Sequence, residues 1–172
     1  MTGGVIIKKL CYIILMTLIL CCCAAADSPK KEAAPCFESK ITLTTAGKSY
    51  DGTLIREDSD SLSMTVMSKQ LDSPLKFAIS EGGFSFMSGE REYRVALENA
   101  PATAAIVEVK NAFDSLPLGE EHREKDEILI KTPLGTLRKN EKNGDFLSLS
   151  TPNCEVIFES FSVLQNESVL AK

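Results

Sequence analysis

The sequence predicts a mainly β domain carrying one amphipathic helix, an α+β fold built on a meandering antiparallel sheet. Three observations predict it. From Phe37 onward apolar and polar residues alternate with period two, in short runs that recur at roughly 8–13-residue spacing with turn residues between them. Between Pro101 and Leu116 that alternation gives way to a helical spacing of apolar residues. Finally, of 172 residues 44% are hydrophobic and 25% charged, which suits one packed domain and not a disordered chain.

A leader precedes the domain. Residues 1–9 contain Lys8 and Lys9 and no acid, Leu10 to Leu20 is an uncharged apolar run of 11 residues, and Ala24-Ala25-Ala26 follows. A basic start, a short apolar stretch and small residues after it describe a secretory signal peptide. The apolar run falls short of the ~20 residues a membrane span needs. Extended to Ala26 it reaches 17 mostly apolar residues, so a retained anchor is the alternative. Leu20-Cys21-Cys22-Cys23 resembles a bacterial lipobox, with Cys23 as the residue that would receive a diacylglycerol. Leu20 stands third before Cys23, and a small residue stands immediately before it. Cys21 fits worse, because bulky Leu20 would sit at the cleaved bond, and Cys22 is intermediate. Ordinary cleavage after Ala26 is the competing reading. The expected organisation is a signal peptide over 1–23, a flexible tether over 24–35, a domain over 36–164 and a frayed tail over 165–172. Extended, the twelve-residue tether spans ~40 Å, enough to stand a domain off a membrane.

The domain's elements follow in order. Phe37, Ser39, Ile41, Leu43 and Thr45 alternate with Glu38, Lys40, Thr42 and Thr44, a strand with one buried face. After the Ala46-Gly47 turn, Tyr50, Gly52 and Leu54 share a face of a second strand running to about Arg56; Gly52 predicts a bulge or bend. Leu62, Met64 and Val66 form the cleanest alternation. Ser73-Pro74 breaks the pattern before Lys76–Ile79, and Gly82-Gly83 turns into Phe84–Met87. A sixth strand covers Tyr93 to Leu97. The helix is predicted over Pro101 to Leu116, with Ala102, Ile106, Val109 and Phe113 as its stripe and Pro101 in its first turn. Gly119 to Glu127 reads as a charged, solvated loop. Ile128–Lys131, Thr136–Lys139, Phe146–Thr151 and Glu155–Leu164 complete the strands, with Asn143-Gly144 as a hairpin turn signal.

Composition narrows function by exclusion. The formal charge is 19 − 24 = −5, and beyond Ala26 it becomes 17 − 24 = −7, so neither nucleic acid nor anionic lipid is attracted by charge alone. His122 is the one histidine, between Glu121 and Arg123. No P-loop, nucleotide-binding glycine fingerprint, G-x-S-x-G or H-E-x-x-H occurs, so no cofactor is implied and an enzyme is not expected. Of six cysteines only Cys36 and Cys154 belong to the domain. An extracytoplasmic location permits a disulfide between them, closing a loop of about 120 residues. Two unpaired thiols are the alternative. The spacing suits no metal site.

Tyr50-Asp51-Gly52-Thr53-Leu54, the Leu62–Val66 strand, Ser73-Pro74-Leu75-Lys76-Phe77 and the turn Glu81-Gly82-Gly83, taken with the order of elements, resemble the bacterial Lol-type lipoprotein carriers and receptors. The resemblance covers about residues 37–164. It implies an unclosed antiparallel half-barrel wrapping a helix, with an apolar cavity for acyl chains between the two. The inward residues would be Leu62, Met64, Val66, Phe84, Phe86, Ile106, Val109 and Phe113, apolar and adaptable faces suited to lipid tails. The same faces suit a filled core. The chain departs from the carriers in opening its domain on a strand instead of an amphipathic helix. Two functions are therefore expected. One is a lipid-anchored protein on the extracytoplasmic face of the cell membrane that binds a lipid or other apolar ligand. The other is a structural module of the cell envelope with a solid core and a protein partner.

Overall fold

The computed structural model describes residues 34–67 and 73–164. The expected signal peptide, Cys23, nearly all of the tether and the tail lie outside the described residues.

Eleven strands form one antiparallel sheet: β1 Phe37–Thr45, β2 Lys48–Arg56, β3 Leu62–Met67, β4 Leu75–Ser80, β5 Gly83–Ser88, β6 Arg91–Ala96, β7 Glu120–Glu124, β8 Glu127–Thr132, β9 Gly135–Asn140, β10 Phe146–Ser150 and β11 Cys154–Val163. A single helix, α1 (Ala105–Asp114), stands between β6 and β7. The spatial order is β6-β5-β4-β3-β2-β1-β11-β10-β9-β8-β7. Two meanders, β1–β6 and β7–β11, are thus joined by the pairing of β1 with β11, and among the described residues β6 and β7 are the two edges of the sheet. The chain must pass from one edge to the other between them, and α1 makes that crossing over the concave face. This is the unclosed half-barrel wrapping a helix.

The curl has a local cause. In the β1–β11 pairing Lys40 faces Ser160 and Ile41 faces Phe158, so Glu159 is the extra residue of a bulge. Thr42 Oγ1 donates to Glu159 Oε1 at 2.7 Å there. Beside the bulge Gly52 pairs with Ile41 on one side and Val66 on the other in unbroken register. A Cβ at Gly52 would stand 2.2 Å from the Thr65 carbonyl oxygen. The glycine therefore permits a close approach of strands, and the bulge falls on β11.

Alternation along β1 buries Phe37, Ser39, Ile41 and Leu43. Phe37 is the hub of an aromatic cluster, with ring centroids 5.4 Å from Phe113, 5.6 Å from Phe146 and 6.0 Å from Phe158. That cluster fills the half-barrel at the Phe37 end of β1. Leu54, Leu62, Val109, Leu137 and Leu149 extend the core from it.

Three expectations need correction. Within Gly119–Glu127, residues Glu120–Glu124 form β7, not a loop. This strand pairs only with β8 and is exposed throughout, so no apolar alternation marks it. Its charges suit a free edge. The helix is shorter than Pro101–Leu116. It starts after Ala104, which offers no capping side chain, and ends before a short 3-10 turn at Leu116–Leu118. Cys36 and Cys154 are free thiols. Because β1 and β11 are antiparallel, Cys154 faces Thr45 while Cys36 precedes Phe37 at the opposite end. Nine residues along the strand, about 30 Å, separate those levels, far beyond the ~7 Å limit between disulfide-bonded Cα atoms.

Candidate functional site: an apolar cavity under the helix start

The two ends of the half-barrel differ. At the Thr45 end of β1 a cavity of about 470 Å³ lies between the sheet and the first turn of α1. Its walls come from four neighbouring strands: Leu43 and Thr45 of β1, Lys48 and Tyr50 of β2, Met64 and Val66 of β3, and Leu75 and Phe77 of β4. Thr103, Ala104, Ala105 and Ile106 complete the lining. Register explains the grouping. Leu43 faces Tyr50, Val66 faces Leu75 and Met64 faces Phe77, so neighbouring strands contribute inward side chains in pairs at successive levels of the sheet. The volume falls in the usual range for small-molecule pockets, roughly 300–1,000 Å³.

Of the eight residues expected to face a ligand, Met64, Val66 and Ile106 line the cavity. Leu62, Val109 and Phe113 are not in the lining and belong to the packed core. Phe84 is buried beside them. Phe86 is half-buried and packs on Phe77 at 5.1 Å and Tyr93 at 6.1 Å, outside the lining. The large apolar and aromatic residues missed were Leu43, Tyr50, Leu75 and Phe77, and the one charged residue missed was Lys48. Leu43 and Tyr50 stand on the faces read as inward. The tight Ala46-Gly47 turn, which fixes the β1–β2 register, is the signal that would have placed them together.

Hydrogen bonds hold α1 over the cavity. Glu108 accepts from the Thr151 hydroxyl at 2.5 Å and from the Asn153 backbone N–H and side-chain amide, beside the β10–β11 turn. Burial pushes its carboxyl up, but these three donors outweigh that and hold it below its ordinary value. At the helix end Ser115 donates from Oγ to Thr132 Oγ1 at 2.8 Å, and Asp114 accepts from Arg56 Nη2 at 3.4 Å. Arg56 is 2% exposed, lies 5.5 Å over the Phe113 ring and has no hydrogen-bond partner for Nε and Nη1 among the described residues. Cys154, next to Thr151, is buried, and burial raises its thiol above the ordinary value, with Glu108 adding to the rise against a hydrogen bond from Thr151 that lowers it. None of these groups lines the cavity. His122 sits on exposed β7, 3.9 Å from Glu120. Among the described residues no helix is long and apolar enough to cross a membrane.

No family model and no curated protein matches the chain. Among solved structures it is similar to a LolA superfamily protein from Nitrosomonas europaea, with a TM-score of 0.42 and 6% sequence identity, over 81% of this chain and 90% of that one.

Proposed function

We propose that this chain is a lipoprotein of the bacterial cell envelope, of the Lol-type half-barrel kind. It would be held at the extracytoplasmic face of the cell membrane by a lipid on Cys23 and would bind a lipid or other apolar ligand without covalent chemistry. The observation that carries the binding reading is the cavity of about 470 Å³, walled by Leu43, Met64, Val66, Leu75 and Phe77 and roofed by Ile106. A surface of that kind gains free energy by taking apolar matter out of water, about 25 cal/mol for each Å² covered. Its polar lining groups are Thr45, Lys48, Tyr50 and Thr103, and the rest of the lining is apolar, a composition that supports binding. Anchoring rests on the leader: Leu20 followed by three cysteines, after a basic start and an apolar run.

Native mass spectrometry of the full chain from its host tests both parts. Binding predicts a co-purifying mass that leaves on denaturation and matches a lipid. Anchoring predicts a diacylglycerol adduct that Cys23→Ser abolishes. A clean protein mass that takes up no phospholipid or fatty acid on addition contradicts the first. An unmodified chain starting at Asp27 contradicts the second.

One observation favours the envelope-module reading. The edge strand β6 is exposed on every residue, with Tyr93 56% and Val95 42% exposed, and Tyr93 prolongs the Phe77–Phe86 aromatic row past the cavity. An apolar row ending on a free edge suits a protein partner.

A further inference from the structure

We propose that the occupant of the cavity is a single-chain amphiphile with an anionic head, its chain lying between sheet and helix and its head at Lys48. The inference rests on the binding reading above and adds the ligand's chemistry to it. Three observations carry it. The cavity is about 470 Å³, in the lower part of the ~300–1,000 Å³ range of ligand pockets, which suits one chain better than a bundle of chains. Its polarity is graded. Met64 and Val66 of the inner wall are almost fully buried, whereas Lys48 and Thr103 are exposed at the mouth. Most pointedly, Lys48 is the one charged residue of the lining. Among the described residues it has no carboxylate within ion-pair distance, although the chain as a whole is acidic at −5. The acid in the first turn of α1, Glu108, is committed to Thr151 and Asn153.

An ammonium at the rim of an apolar cavity, with no carboxylate paired to it among the described residues, selects by charge. It attracts a carboxylate or phosphate whose chain is already held and repels a cationic head; because Lys48 is exposed, the preference has the strength of a surface pair. Lys48 is fixed there by the tight turn before it, where it faces Thr45 in the hairpin register.

The test is titration of the full chain with four probes of equal chain length: palmitate, hexadecyl phosphate, hexadecanol and hexadecyltrimethylammonium. Palmitate and hexadecyl phosphate are expected to bind roughly two- to fivefold more tightly than hexadecanol, and the cationic probe more weakly than hexadecanol. The order of the two anions tells a carboxylate site from a phosphate site. Lys48→Met should remove the preference for anions while leaving hexadecanol affinity in place. Because Lys48 is exposed, this variant is expected to fold. Equal binding of palmitate and hexadecanol by the unaltered chain, or an unchanged preference in K48M, overturns the proposal and leaves the cavity reading standing. Failure of all four probes to bind overturns both.

Discussion

Arg56, near the end of β2, donates from Nη2 to Asp114 Oδ1 at 3.4 Å, tying the innermost charged side chain of the sheet to the last residue of the helix. The pair is lopsided. Arg56 is 2% exposed and Asp114 38%, and Asp114 also accepts from Lys110 at 2.5 Å. Losing the aspartate strands a buried guanidinium. Losing the arginine leaves a carboxylate that still has Lys110 and water. Asp114→Ala is therefore expected to cost about 3 kcal/mol, whereas Arg56→Met, which fills the space without charge, should change stability by less than about 1 kcal/mol or raise it. Urea unfolding of both variants measures this, and equal losses would refute the asymmetry.

The two ends of β1 should respond differently to truncation. Phe37→Ala removes the hub of the aromatic cluster and is expected to cost about 4 kcal/mol. Leu75→Ala, at the half-buried cavity wall, removes a side chain with fewer packed neighbours and should cost about 1 kcal/mol. The same unfolding experiment compares them, and a cost at Leu75 matching that at Phe37 would mean the cavity end is packed as tightly as the other.

Glu108 predicts a pH dependence. Its carboxyl lies below its ordinary value of 4.5 in the folded chain, so the folded state binds its proton less readily than the unfolded state does. The stabilisation it brings is fully present above that ordinary value and is lost as pH falls through the lower folded value. The difference in urea midpoint between the unaltered chain and Glu108→Gln should accordingly shrink between about pH 6 and about pH 3. A difference that is constant across that range would show that Glu108 does not hold its charge through Thr151 and Asn153.

The free thiols predict a labelling pattern. Cys36 is partly exposed and Cys154 buried, with its thiol pushed up by burial. Iodoacetamide should modify Cys36 in the folded chain and Cys154 only after unfolding, because the thiolate is the nucleophile. Peptide mass spectrometry reads both sites. A Cys36–Cys154 disulfide peptide would contradict the antiparallel register of β1 and β11.

Gly52 has no room for a side chain, its Cβ position lying 2.2 Å from a neighbouring carbonyl oxygen. Gly52→Val should cost about 2 kcal/mol or more by forcing β2 and β3 apart. A variant as stable as the unaltered chain would show that β2 and β3 do not approach this closely at Gly52.

Strands with one buried face were legible in the sequence. The alternations of β1 and β3 come from half-buried surfaces, and those surfaces are what the pattern records. Strand β7 was not legible, because both its faces meet solvent and nothing selects apolar residues there. The helix read too long because Ala102 and Leu116 continue its stripe while belonging to turns on either side. The cavity was half legible. Alternation marks Met64 and Val66 as inward, but whether an inward residue meets another side chain or a void depends on which strands reach its level. Leu62, two residues earlier on the same face, meets a packed core. The burial of Arg56 was not legible for a related reason: a charged residue ending a strand before a polar turn gives no sign of burial, and only the fold puts it beside Phe113.

The central claim is that the space between the sheet and the start of α1 holds an apolar ligand. The most direct measurement is uptake of a fluorescent fatty acid by the full chain and by Val66→Trp, which places an indole in the cavity. Saturable uptake by the unaltered chain, lost in V66W while its unfolding midpoint stays close to the original, is the predicted result. No uptake by the unaltered chain, or undiminished uptake by a folded V66W, would contradict it.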